Sequence, residues 1–92
     1  MRIEILRADG SREEHQVGKH SAFAWINRTI GADTLDSVNL RDGRVMLVDD
    51  TGLVDGKPRN EAATALYLGI CKPGTDAFIA GDVAVVVDED FA

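Results

Sequence analysis

The chain has 92 residues, of which 16 are acidic and 10 are basic, so its formal net charge is −6. This balance disfavours nucleic acids and anionic membrane surfaces as partners, because phosphate contacts need clustered Lys and Arg side chains. The length suits one domain, which we expect to span residues 1–92.

Cysteine and histidine are scarce, which limits the chemistry available to the chain. Cys71 is the one cysteine, so no internal disulfide can form, and His15 and His20 are too few for a zinc site at the usual spacings. The charges of Arg2, Glu4 and Arg7 leave no apolar core of the kind a signal peptide has, and no apolar run approaches the length of a membrane span. These observations predict a cytoplasmic protein with no metal and no cofactor.

The first third of the chain predicts a hairpin and a helix. Residues 2–6 alternate polar and apolar side chains, as a strand does. Asp9-Gly10 predicts a type I′ turn, and the polar stretch 11–17 predicts a return strand at a sheet edge. Ser21 predicts the N-cap of a helix that Gly31 ends. One face of this helix collects its apolar side chains: Ala22, Phe23, Ile26 and Ile30.

The rest of the chain predicts a second hairpin, a second helix and a last strand. Residues 35–40 and 45–48 flank an Asp-Gly turn, and the apolar stretch 45–48 predicts a central strand. A loop follows over 49–60, then a helix over 62–70, a strand over 83–87 and an acidic tail. The order β-β-α-β-β-α-β predicts an α+β fold, with a mostly antiparallel sheet of about five strands and two short helices.

Two runs in the second half, VDDTGLVDGKPRNEAATALY and IAGDVAVVV, place glycines and a proline at fixed offsets. They resemble a family of small proteins from bacteriophages and other mobile elements, catalogued as domain of unknown function three-eight-four-six. The resemblance covers about Gly31 to Val87. Its anchors are Gly56, Pro58, Asn60, Ala63, Thr64 and Gly81. It assigns no catalytic residue and implies a phage-type protein in a bacterial host cytoplasm, where such small proteins frequently inhibit host proteins or host immunity.

The segment 56–60 places two cations directly before the second helix. The unpaired N–H groups and the dipole at a helix start favour anions. We therefore predict contacts to a phosphate or nucleotide from the two cations and a nearby hydroxyl, and a stacking face one turn later. The residues of this predicted anion site are Lys57, Arg59, Asn60, Thr64 and Tyr67.

A structural alternative explains the same segment. Asn60 can be the N-cap of the helix, Pro58 a rigid loop residue and Gly56 a turn residue with positive φ. The spacing of a Walker phosphate-binding loop is absent. The nearby acids predict turns rather than a calcium site: Asp49, Asp50 and Asp55.

Two apolar side chains are candidates for contact with a protein. Trp25 is expected either to anchor an interface, where tryptophan is enriched, or to cover the edge of the core. Leu68 lies opposite the apolar face of the second helix. It predicts either a lone exposed residue or a contact between copies in a homo-oligomer.

The chain shows no recognisable arrangement of nucleophile, base and acid, so we predict that it is not an enzyme. His15 and His20 are expected to be solvated, and Cys71 to be a small buried residue. The first hypothesis is a non-catalytic, phage-type binding protein, an inhibitor that occludes a host protein such as a defence component. The alternative is a protein that sequesters an anionic nucleotide immune signal at residues 57–60.

Overall fold

A computed structural model of the chain describes residues 1–32, 34–51 and 56–87. They form an α+β fold, as predicted, with one five-stranded sheet and two helices. The strands are β1 (Arg2–Leu6), β2 (Arg12–Gln16), β3 (Leu35–Asn39), β4 (Arg44–Asp49) and β5 (Val83–Val87). The helices are α1 (Ala22–Ile30), which a 3₁₀ turn at Lys19–Ser21 precedes, and α2 (Glu61–Leu68). The predicted acidic tail and Asp55 lie outside the described residues.

The sheet is antiparallel throughout, with the strand order β2-β1-β5-β4-β3. The chain makes two hairpins, β1–β2 and β3–β4, and β5 lies between them. The polar strand β2 is therefore an edge strand, as predicted. The apolar strand β4 is interior, but the central position, which we predicted for residues 45–48, belongs to β5.

Successive side chains of a strand point to opposite faces of the sheet, so apolar residues at neighbouring positions give both faces a buried surface. One helix covers each face. On the α1 face, buried strand residues pack against three helical side chains of α1. These are Ile3, Ile5, Val45, Leu47, Ala84 and Val86 against Ala22, Ile26 and Ile30. On the α2 face, Ala63 of α2 packs against a second group. This group contains Leu6, Leu40, Met46, Val48, Val83 and Val85.

The turn between β1 and β2 differs from the predicted type I′ turn. A type I′ turn needs positive φ at both central residues, and Arg41 is the one non-glycine residue with positive φ in the described parts of the chain. Asp9 therefore lacks the required conformation, whereas Gly10 has a φ of 93°. The N–H of Gly10 donates to the carbonyl of Arg7 at 3.0 Å, and the N–H of Arg7 donates to that of Ser11 at 2.9 Å. This is a three-residue loop closed by a glycine bulge.

Two predictions about α1 are wrong in detail. Ser21 stands at the N-cap, but its side chain makes no capping hydrogen bond and instead donates to the carbonyl of Gly18 at 3.4 Å. The 3₁₀ turn directly before the helix removes the extended backbone that an N-cap normally has. Phe23 is 49% exposed, because the buried stripe of α1 is narrow and recurs every fourth residue. Gly31 ends the helix as predicted, with a φ of 69°.

Candidate functional site

Asn60, the centre of the predicted anion site, is fully buried and acts as a structural junction. Its Oδ1 accepts the N–H of Ala63 at 3.0 Å, so the N-cap alternative is confirmed. Its Nδ2 donates to the carbonyls of Leu6 at 2.8 Å and of Gly81 at 2.9 Å. This amide therefore joins α2 to the end of β1 and to the approach of β5, and it presents no group to a ligand.

Lys57 and Thr64 are also committed within the fold. Lys57 Nζ donates to the carbonyl of Gly31 at 2.7 Å and forms an ion pair with Asp49, whose side chain is 1% exposed. The Oγ1 of Thr64 is buried and accepts the N–H of Ile79 at 3.0 Å. Both groups therefore already have internal partners, and their contact with an anion stays a prediction.

The remaining members of the predicted anion site point to different surroundings. Arg59 is exposed, and its guanidinium forms an ion pair with Glu61 at 2.9 Å and lies 5.4 Å from the ring centre of Phe78. Tyr67 is half-buried and packs on the α2-face core. The thiol of Cys71, which is half-buried rather than buried as predicted, raises the pKa of the Tyr67 hydroxyl by hydrogen bonding. Among the described residues, the five members of the predicted site therefore make their contacts in different parts of the fold.

The anchors of the family resemblance have structural roles in this chain. Pro58 accepts the N–H of Gly81 at 2.7 Å, which pairs the segment before α2 with the segment before β5. Gly81 has a φ of 84°, which strains any other residue, and a Cβ there would lie 2.9 Å from Cδ of Lys57, so that a side chain would also displace Lys57. Ala63 is fully buried, and Gly56 is a turn residue with a φ of 71°. These residues therefore take part in attaching α2 to the sheet.

The predicted interface residues lie on separate elements. Trp25 is half-buried on α1 and packs against the α1-face core, with its ring centre 4.8 Å from that of His15 on β2. His15 is therefore only partly solvated, whereas His20 is exposed. Leu68 ends α2 and is 37% exposed. A role for Trp25 or Leu68 in protein binding stays a prediction.

A polar network around Arg7 joins three parts of the fold. The guanidinium donates to Glu13 at 2.7 Å, to Asp82 at 2.8 Å and to the carbonyl of Thr29 at 2.8 Å. The hydrogen bonds from Arg7 and His15 lower the pKa of Glu13 to about 2. Each of the three guanidinium nitrogens donates to a protein group, so this network is a structural cross-link between β2, α1 and the start of β5.

A candidate site among the described residues is a cleft at the β3 side of the sheet. It has a volume of about 140 Å³ and lies between the strands β3 and β4 and the segment that leads into β5. Its lining residues are Asp36, Val48, Asp49, Asp50, Phe78, Ile79 and Ala80. Two exposed carboxylates and an exposed aromatic ring therefore surround an apolar floor.

The three carboxylates of this cleft differ in their availability. Burial raises the pKa of Asp49, but hydrogen bonds from Lys57 and Thr51 outweigh it and hold that pKa below its usual value. Asp49 is therefore an internal anion with internal partners. Asp36 and Asp50 are exposed, so their charges face the solvent at the mouth of the cleft. Phe78 is 40% exposed and already holds one guanidinium, that of Arg59, against its ring.

Sequence reasoning missed this cleft. It considered Asp49 and Asp50 only as turn formers or metal ligands, and it gave Asp36 and Phe78 no role. No local motif joins Asp36 to Phe78, which come from distant parts of the chain. The one available signal is Phe78 itself, a large apolar residue in the irregular segment between α2 and β5, where nothing in the pattern predicts burial.

Comparison of the chain with protein-family models, with curated proteins and with solved structures finds no match. The resemblance to the phage family therefore stays a prediction. Within the described residues, no three His, Cys, Asp or Glu side chains are placed to hold a metal ion. Neither of the helices in that part of the chain has the length and apolar character needed to cross a membrane.

Proposed function

We propose that this chain is a non-catalytic binding protein that acts by covering a surface of another protein, and that the acidic cleft beside β3 is its contact site. The observation that carries this proposal is the combination of exposed Asp36, Asp50 and Phe78 around an apolar floor. An exposed aromatic ring bordered by charges is typical of protein contacts, since it offers a large contact area at low entropic cost.

The chemistry of the cleft selects the partner. A basic side chain would lie near two carboxylates, and its aliphatic stem would lie on Val48, Ile79 and the exposed edge of Phe78. The net charge of −6 would also steer a basic surface toward the chain and repel an acidic one. We therefore expect the partner to present a basic, partly apolar segment.

The state of Asp49 gives no support to a role as a general acid. A general acid at neutral pH needs a raised pKa, and the pKa of buried Asp49 is lowered by its hydrogen bonds. The partner that the family resemblance implies is a host protein in a bacterial cytoplasm, such as a component of host defence. On this proposal the chain inhibits that protein by occlusion.

Affinity capture from bacterial lysates with three forms of the chain tests the proposal. The first form is the wild type, the second is Asp36→Asn with Asp50→Asn, and the third is Asp9→Asn with Asp42→Asn. The third form removes the same charge from exposed turns of the two hairpins and keeps their turn-forming acceptors.

We expect a stoichiometric protein with the wild type and the turn variant, and its loss with the cleft variant. Capture of the same protein by all three forms would place the contact elsewhere, at Trp25 or Leu68 for example. Recovery of no protein from several hosts would overturn the proposal.

A further inference from the structure

We propose that the outer edge of β3 binds its partner by strand addition, taking an extended basic segment as a sixth strand of the sheet. This inference rests on the proposed function and specifies how the acidic cleft is used. It follows from three observations: the composition of the two sheet edges, the direction of the backbone groups of β3, and the position of Asp36.

The two edges of the sheet are protected to different degrees. Of the five residues of β2, three carry full charges and a fourth is His15, and such charges discourage pairing with a further strand. The sequence of β3 is LDSVN, with one charged residue, Asp36. Within the described residues, β4 is the one strand that pairs with β3. The edge that is poorly protected is therefore the one beside the cleft.

The backbone bonds show which groups of β3 face outward. The N–H of Leu40 donates to the carbonyl of Arg44, and the N–H of Asp50 donates to that of Thr34. In this register the even-numbered residues of β3 therefore direct their backbone groups toward β4. Leu35, Ser37 and Asn39 direct theirs outward, where an added strand would pair with them.

Asp36 now occupies part of this edge. Its Oδ1 accepts the outward N–H of Ser37 at 2.9 Å. A carbonyl of an added strand would replace this acceptor and release the carboxylate of Asp36 toward the cleft. This exchange would couple strand addition to recognition of a basic side chain, since the released carboxylate can then accept hydrogen bonds from a cation of the partner.

The register also specifies which side chains the partner needs. Asp36 and Val38 bond through their backbones to β4, so opposite an added antiparallel strand they form non-hydrogen-bonded pairs, whose side chains lie closest together. Both side chains are on the α2 face, with the cleft. A basic residue opposite Asp36 and an apolar residue opposite Val38 match this surface. Read from its N-terminus, the partner strand then has the pattern apolar-x-basic.

A second copy of the chain is a poorer occupant of the same edge. Antiparallel self-pairing centred on Ser37 would place Asp36 of each copy opposite Val38 of the other, with no cation for the carboxylate. It would also bring together two chains that each carry a charge of −6. The charge therefore favours a basic partner strand over a homodimer at this edge.

The test is a titration of ¹⁵N-labelled protein, followed by amide chemical shifts, with three short peptides at up to millimolar concentration. The first peptide carries the apolar-x-Lys pattern with Thr at the intervening positions. The second has Glu in place of each Lys. The third keeps the Lys residues but has Pro at the positions that must bond to Leu35 and Ser37. Proline lacks the N–H that strand pairing needs. Diffusion measurements on the free protein report any self-association.

We expect amide chemical-shift changes centred on residues 35–39 with the first peptide alone. In Asp36→Asn the dissociation constant for this peptide should rise about two- to fivefold, which corresponds to the loss of one cross-strand charge pair. Asp42→Asn is the matched control and should bind as the wild type does. Equal binding of the proline peptide at the cleft would overturn strand addition but leave the proposed function standing. Absence of binding by both Lys peptides would overturn both proposals. A dimer through β3 in the free protein would also overturn strand addition.

Discussion

The two helices are attached to the sheet by different means. Helix α1 is held by a stripe of apolar side chains, in which Ile26 is fully buried at the centre. Helix α2 fully buries only two residues, Ala63 and Thr64, packs Ala62, Leu66 and Tyr67 less deeply, and is joined to the sheet at its start by the hydrogen bonds of Asn60 and Thr64. Apolar contacts are non-directional, whereas hydrogen bonds require defined geometry. We therefore expect α1 to tolerate changes of shape that conserve volume, and α2 to tolerate very few changes at its start.

The largest effect is expected for Ile26→Ala. Removing this buried side chain should lower the free energy of unfolding by about 3–4 kcal/mol, because it leaves a cavity under α1. Ile26→Leu should cost less than about 1.5 kcal/mol. Chemical denaturation measures both, and the exposed Phe23→Ala on the same helix is the control. A similar loss in Phe23→Ala would show that the core under α1 has been wrongly assigned.

A smaller but more specific effect is expected at the start of α2. Asn60→Leu keeps the number and branching of the side-chain heavy atoms and should still lower the free energy of unfolding by about 3 kcal/mol, because the carbonyls of Leu6 and Gly81 lose their buried donor and the helix loses its cap. Asn39→Leu on the exposed strand β3 is the matched control. If Asn60→Leu were as mild as Ile26→Leu, apolar packing rather than hydrogen bonding would hold α2.

Lys57→Met should lower the free energy of unfolding at neutral pH by about 2 kcal/mol, since it leaves the buried carboxylate of Asp49 without its cation. The pKa of Asp49 is lowered in the folded chain, so its contribution is present above the ordinary Asp pKa of about 4 and is lost as the pH falls through the lowered value. The difference between Lys57→Met and wild type should therefore shrink in acid.

Denaturation of both proteins across this pH range measures the effect of Lys57→Met. The matched control is Arg44→Met, which breaks the exposed pair with Asp42 and should change the stability little. If the difference in free energy of unfolding between Lys57→Met and wild type stayed constant from neutral to acid pH, the charge of Asp49 would contribute nothing to stability.

The smallest effect is expected for Ser21→Ala, which compares the two helix starts directly. A capping serine typically contributes about 1 kcal/mol, but the Ser21 side chain makes no capping bond, so the change should stay within about 0.5 kcal/mol. Thermal and chemical denaturation together resolve such a difference. A loss above 1 kcal/mol would indicate that Ser21 caps α1 in solution.

The sequence was sufficient for elements whose signal is local. The alternation in β1 and the apolar run in β5 gave the bounds of both strands, and the polar composition of β2 placed it at an edge. Phe23 was placed on the apolar face of α1 but is half exposed, because helical spacing defines a face and not the width of the stripe that the sheet covers. The type I′ turn was wrong because an Asp-Gly pair also suits a bulged loop, and the residues on either side decide between them.

The site was less predictable, because its determinants are long-range. The cations before α2 suggested an anion site, yet Lys57 is paired with Asp49 and Asn60 is bonded to Leu6 and Gly81. Those partners become visible only when β1, β4 and the approach to β5 meet. For the same reason Asp36 and Phe78, which border the acidic cleft, gave no combined signal in the sequence.

The central position of β5 also determines the order in which the chain can fold. The hairpins β1–β2 and β3–β4 form from neighbouring residues, but each has two strands, which is marginal in water. They join only through β5, which follows both in the chain, so most sequence-distant pairings form late and folding should be slow. Until β5 docks, the inner edges of β1 and β4 are unpaired and open to aggregation. During synthesis, the appearance of Val83–Val87 is therefore the event that turns two unjoined hairpins into a folded sheet.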